Sequence, residues 1–250
     1  MQQKRKLQIG IFSYDGAPEL QTMHCVISTL IELSVKGIES HITARVGNAD
    51  VAGARNSMVG EFLSTDCTDL LMIDHDVAWE PGAVLRLLHH PVDLVCGAYR
   101  ARKDPEQYPI RCIEGSKEIW SCEHTGLIEV EGLGAGFMRI SRRCLEEMVK
   151  HYADTKYHDE WFKRDTWSLF EFVTKNGNRW AEDIIFCQRY RAIGGRVWID
   201  PDLQLHHVGK KTFTGTFGHW LKANAPLHAP SEADRLKALL GAKQALEAVA

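Results

Sequence analysis

The sequence has no apolar stretch approaching the ~20 residues that a membrane-spanning helix requires. It also lacks any Cys-x-x-Cys pair. Its seven cysteines, Cys25, Cys67, Cys96, Cys112, Cys122, Cys144 and Cys187, are odd in number and scattered. That pattern argues against a zinc ribbon or a disulfide framework and favours reduced thiols in a cytoplasmic protein. Behind the basic residues 1–6, the apolar run 7–12 is too short for the core of a secretory signal. Neither sign of charge dominates: 30 Lys and Arg face 33 Asp and Glu, for a formal net charge of −3. A broad polyanion-binding surface is thereby disfavoured, although a local basic cleft is not. No phosphate-loop lysine motif is present, which argues against an ordinary nucleoside triphosphatase.

What remains is an ordinary globular composition. The 250 residues are 44% hydrophobic and 25% charged, which excludes disordered and collagen-like classes. This length fits one α/β domain, alone or with a small appendage. One count stands out: 12 histidines, two of them adjacent at His206-His207. Histidine is the commonest metal ligand and the proton carrier of neutral pH.

Along the chain, residues 7–13 read as a first strand and Pro18 as the first turn of a helix ending near Val35, before Gly37. Residues 38–46 alternate as a second strand, and residues 55–64 read as a helix. Residues 70–73 form the short continuous apolar run of a strand buried on both faces. A helix over 83–89 and a strand over 93–97 follow. This alternation predicts a three-layer α/β/α domain around a mostly parallel, Rossmann-like sheet. Residues 100–109 read as a loop. Short strands are expected at 110–113, 118–120, 126–130 and 137–140, then a helix over 141–151 with Ser141 as its cap. Residues 153–180 are polar and aromatic without a period and read as a lid or insertion. A helix over 182–193, a strand over 196–199 and a terminal helix over 231–250 complete the reading. The expected organisation is a domain over 1–211 and an extension over 212–250.

Four motifs carry chemistry. In Asp74-His75-Asp76, a buried strand runs into two carboxylates one residue apart. Ligands of open α/β sheets bind beyond the carboxyl ends of the strands, and residues two apart on extended backbone point the same way. Asp74 and Asp76 could thus face one hard ion, Mn²⁺ or Mg²⁺, although the same acids also simply open a loop. After a late strand, His206-His207 could complete such a site, with Lys210 and Lys211 as point charges for phosphate. Trp180-Ala181-Glu182-Asp183 sets two acids at a helix start. They complement the helix dipole, and in a cleft a carboxylate could take a proton from an attacking hydroxyl. Finally, Gly132, Gly134 and Gly136 alternate around Ala135 and allow a close backbone approach to a ligand.

Taken in order, these motifs resemble the GT-A superfamily of nucleotide-sugar glycosyltransferases, over residues 7 to about 211. The Arg55-Asn56 pair ahead of Asp74-His75-Asp76 also looks like the Anp1/Mnn9-type mannosyltransferases. The resemblance implies a GT-A fold, a UDP- or GDP-sugar donor and a Mn²⁺ or Mg²⁺ ion held by Asp74, Asp76 and His207, with His206 as the alternative histidine. It implies donor contacts from Ser13, Tyr14, Asp15, Arg55, Asn56, Asp74, His75, Lys210 and Lys211. On the acceptor side it implies Gly134, Ala135, Gly136 and Trp180, with 153–180 as a lid. Asp183, or Glu182, would be the base of an inverting transfer; the Arg-Asn block instead looks like retaining enzymes. The acceptor class stays open among glycan, protein, lipid and nucleobase.

Two competing readings remain. A nucleotidyltransferase on a related sheet usually carries a basic, glycine-rich loop after its first strand. Residues 14–19 are acidic and hold no lysine or arginine. A non-catalytic nucleotide-sugar-binding protein would not need the full set of Asp74, Asp76, Asp183 and His207.

Overall fold

The computed structural model describes residues 4–113 and 121–224. The strand expected at 118–120 and the terminal helix expected at 231–250 lie outside the described residues. In chain order the first elements are β1 (Lys6–Ser13), α1 (Leu20–Val35), β2 (Glu39–Val46), α2 (Val51–Leu63), β3 (Asp69–Asp74), β4 (Val77–Trp79), α3 (Ala83–His89) and β5 (Leu94–Gly97). The middle holds β6 (Ile110–Arg111), β7 (Ile128–Val130), β8 (Gly132–Leu133), β9 (Phe137–Ser141) and α4 (Arg142–His151). Then follow β10 (Lys156–Asp159), β11 (Arg164–Trp167), β12 (Val173–Lys175), β13 (Asn178–Trp180) and α5 (Glu182–Ala192). The described chain ends with β14 (Val197–Asp200), β15 (Gln204–His207), β16 (Phe213–Thr216) and α6 (Phe217–Asn224).

The central sheet has seven strands in the order β2-β1-β3-β9-β5-β14-β7. β2, β1, β3, β5 and β14 run one way; β9 and the edge strand β7 run against them. The architecture is the expected three-layer α/β/α domain with a mostly parallel sheet. Period-two alternation on each strand feeds the two faces. Leu71 and Ile73 of β3 pack with Val26 and Leu33 of α1 and Leu87 of α3. Leu70 and Met72 pack on the opposite face with Met58 and Phe62 of α2, Leu145 of α4 and Phe186 of α5. All four β3 side chains are fully buried, each worth about 1.5–3 kcal/mol of transfer free energy.

Several boundaries differ from the sequence reading. α1 begins at Leu20, after Glu19, so Pro18 precedes the helix instead of forming its first turn. The Glu19 N–H is spent on the His75 carbonyl (2.9 Å), which draws the chain away from a helical start at Pro18. α2 begins at Val51, four residues early, so Arg55 and Asn56 lie inside it and face inward. Nine of its thirteen residues are buried, and that near-uniform burial hides the amphipathic start signal. The aperiodic segment 153–180 folds as two hairpins, β10–β11 and β12–β13. β11 packs on α2 at Gly60, where an added Cβ would lie 2.6 Å from the Asp165 carbonyl oxygen. β4, β15 and β16 form a three-stranded antiparallel sheet. They escaped the sequence reading because strands of three or four residues, with Leu205 the one apolar residue of β15, carry too little alternation. α6 returns to the domain: Gly218 N–H bonds Pro201 (2.8 Å), and the Trp220 indole N–H bonds the Glu106 carbonyl (3.0 Å).

Candidate functional site

A cavity of about 410 Å³ opens at the carboxyl ends of β1 and β3. Ser13 and Tyr14 enter it from the exit of β1, Arg55 from α2, Asp74, His75 and Asp76 from the exit of β3, and His207 from the end of β15. This is the position that open α/β sheets reserve for ligands. The sheet brings its parts together: Asp74 N–H bonds the Gly136 carbonyl (3.1 Å), His75 N–H bonds Phe12 (3.1 Å) and Val208 N–H bonds Asp76 (2.7 Å).

Arg55 is the hub. It is 3% exposed; its Nη2 donates to Asp74 Oδ1 at 2.9 Å and its Nη1 to Glu182. Burial opposes its charge, but Asp74 and Glu182 outweigh burial and hold its pKa above the usual arginine value. Glu182 is therefore consumed in a buried pair. Its neighbour Asp183 is half-buried, and Oδ1 takes the Ile184 N–H at 2.7 Å. Burial, against the pull of Arg55, raises the Asp183 pKa above its ordinary value.

The two carboxylates expected to converge turn different ways. β3 ends at Asp74 and a turn follows, so Asp74 faces Arg55 while Asp76 faces His207 and Arg102. The Nδ1 of His207 lies 3.0 Å from the Arg100 carbonyl, which only accepts, so Nδ1 carries the hydrogen. Nε2 then faces Asp76 Oδ2 at 3.5 Å. Burial disfavours ionised Asp76, but the His207 hydrogen bond and the charges of His207 and Arg102 outweigh it and lower its pKa. A carboxylate and an oriented imidazole suit Mn²⁺ or Mg²⁺ as a donor pair. Among the described residues, no group of three His, Cys, Asp or Glu stands close enough to hold an ion.

His206 points to the opposite face of β15, where it bonds Glu80 (2.9 Å) and Thr214 (3.1 Å). The remaining expected residues are scattered more widely. Asp15 bends back on its own turn, accepting from Ser13 (3.0 Å) and Ala17 (3.0 Å). The Asn56 side chain is committed to the backbone of Leu169 and Phe170, with bonds of 2.8–3.0 Å, and does not line the cavity. Lys210 is exposed, and Lys211 pairs with Asp104 (2.6 Å); neither lines the cavity. Trp180 stacks under Arg111 (3.8 Å) in a separate cavity of about 580 Å³.

The glycine run has a clear structural cause. A Cβ on Gly136 would lie 2.6 Å from Asp74 Oδ2 and 2.8 Å from the Tyr99 hydroxyl, and one on Gly134 would run into that same hydroxyl. Gly134 and Gly136 thus make room for the protein's own polar groups, and Ala135 between them is fully buried in the apolar core. Tyr99, Arg45 and Arg102 were missed in the sequence. Tyr99 lines the cavity and meets the His207 ring edge-on at 5.3 Å. Burial, then the charge of Asp74, drives its phenol far above its ordinary pKa, so it stays protonated. Arg45 lines the cavity from β2, bonded to Ser57 (2.7 Å) and Glu61 (2.8 Å). No motif marks these three: Arg45 comes from β2, and Tyr99 and Arg102 come from the polar loop after β5.

The fold is similar to those of several solved structures, three of which follow. A197 from STIV is 20% identical, covering 86% of this chain and 91% of its own, with a TM-score of 0.50. A Drosophila β-1,4-galactosyltransferase 7 mutant, complexed with manganese, UDP-Gal and xylobiose, is 12% identical, covering 92% of this chain and 79% of its own (TM-score 0.45). A glycosyltransferase involved in glycosylation of the PBCV-1 major capsid is 10% identical, covering 56% and 62% (TM-score 0.33). At these identities the A197 likeness concerns the fold. No family model and no curated protein matches the chain. Among the described residues, no helix is long and apolar enough to cross a membrane.

Proposed function

We propose that the protein is a metal-dependent glycosyltransferase that moves a sugar from a nucleoside diphosphate sugar to an acceptor hydroxyl with inversion. The observation that carries this reading is the cavity at the ends of β1 and β3, where Asp76 and an oriented His207 meet beside the β1 exit. Asp76 and His207 would hold Mn²⁺ or Mg²⁺, with diphosphate oxygens and water completing the ion's oxygen-rich shell. The ion would offset the negative charge that grows on the departing diphosphate.

The chain's own residues divide the remaining work. Tyr14, 66% exposed at the mouth, offers a ring for a nucleobase to stack on, and Ser13 offers a hydroxyl. Arg55 holds Asp74 fixed at the cavity wall. Asp183 is the better base than Glu182. Burial raises the proton affinity of both acids, but the Asp183 carboxylate is not tied to a guanidinium. Its Oδ2 lies 3.6 Å from the point that a Cβ on Gly134 would occupy, a space the Tyr99 hydroxyl fills.

The test is release of nucleoside diphosphate from a panel of UDP- and GDP-sugars, with Mn²⁺ or with chelator, in the presence of acceptor extracts. Metal-dependent release that Asp76→Asn abolishes is the expected result. No release from any donor overturns the reading.

A further inference from the structure

Arg102 belongs to the loop between β5 and β6 and has no role in the reading above. Its guanidinium donates to Asp76 Oδ2 and to the Val208 carbonyl. That Oδ2 is the same oxygen that His207 Nε2 faces at 3.5 Å. A divalent ion bound between that oxygen and Nε2 would sit beside the guanidinium, and like charges at such short range repel. A partly buried carboxylate also needs a counter-charge at all times, because an uncompensated one is costly.

We propose that Arg102 is the resident cation of the Asp76–His207 seat, and that a divalent ion enters by displacing it. This rests on the metal reading above and deepens it. The surroundings permit the exchange. The Arg102 side chain is 43% exposed, so its head has water to swing into. The backbone beneath it is pinned independently: Ala101 N–H bonds Gln107 (2.8 Å), and Asp104 is held by Arg100 and by Lys211 (2.6 Å). Rotation of one side chain is therefore enough, with no rebuilding of the loop. In the displaced state, Arg102 stays at the rim of the cavity, available to an anionic ligand.

The experiment measures Mn²⁺ binding by calorimetry, without nucleotide, for the wild type, Arg102→Gln, Lys103→Gln and Asp76→Asn. Removing a charge-assisted bond from the competing state should make Arg102→Gln bind Mn²⁺ about tenfold tighter. Lys103→Gln removes the same charge one residue away and should bind as the wild type does. Unchanged or weaker binding by Arg102→Gln, or equal tightening by Lys103→Gln, overturns the exchange and leaves the metal site standing. If neither the wild type nor Arg102→Gln binds Mn²⁺ in a way that Asp76→Asn abolishes, both the exchange and the metal reading fall.

Discussion

Arg55 holds Asp74 at 2.9 Å with one nitrogen while its other terminal nitrogen engages Glu182. One buried guanidinium thereby joins α2, the exit of β3 and the start of α5. Of the two adjacent acids at that helix start, Glu182 is committed to the guanidinium, whereas Asp183 accepts the backbone N–H of Ile184.

Asp183→Asn is expected to leave donor binding intact and lower transfer by about 10²–10⁴-fold, the usual worth of a positioned base. Burial raises the Asp183 pKa, so the active, deprotonated form appears only as pH climbs past that raised value. The rate should therefore rise with pH through a limb placed above the ordinary Asp range. The limb should be absent in the variant, as a pH profile of kcat/KM would show.

Gly134→Ala puts a methyl against the Tyr99 hydroxyl. Overpacking of this kind costs about 1–3 kcal/mol. Adding Tyr99→Phe removes the clashing atom and should restore part of the loss in urea unfolding. No recovery would mean that the strain lies elsewhere.

Asn56→Ala deletes three hydrogen bonds to the backbone of Leu169 and Phe170. The Leu169 N–H keeps the Trp167 carbonyl, but the buried Phe170 N–H loses its Asn56 acceptor, at about 1–3 kcal/mol. The midpoint of denaturation should fall, and limited proteolysis should reach residues 160–170 first.

Asp200 sits at the end of β14, bonded to Arg86 (2.5 and 2.9 Å) and His90 (2.8 Å). Burial opposes its charge, but these partners win and lower its pKa to about 2. A lowered carboxylate pKa adds stability above the unfolded value, lost as pH falls through the folded one. Asp200→Asn should cost about 2 kcal/mol at neutral pH. The gap to the wild type should close between about pH 4 and pH 2.

The sheet was legible because β1, β3 and β5 are short apolar runs buried on both faces, and such runs read the same in any context. Ser141 was legible as a cap for the same local reason; its hydroxyl does accept the Cys144 N–H (3.1 Å). Segment 153–180 was not legible. Its aromatic residues serve different masters: Phe170 stacks on Phe186 at 4.2 Å in the core, whereas Trp161 is 69% exposed.

The sequence by itself determined which residues stand at the carboxyl ends of β1 and β3, because chain order and strand polarity place Ser13-Tyr14 and Asp74-His75-Asp76 there; His207 arrives on β15, a strand only the tertiary structure reveals. Tertiary structure alone decided how their side chains are shared. Asp74 went to Arg55, and Asp76 to His207 and Arg102, because a turn after Asp74 breaks the extended geometry that would have aimed both acids alike. It also decided that Asn56 holds a loop and that Gly134 and Gly136 shelter Tyr99. The longest of these contacts, Asp76 to His207, joins residues 131 positions apart, and no local pattern encodes a partner at that distance.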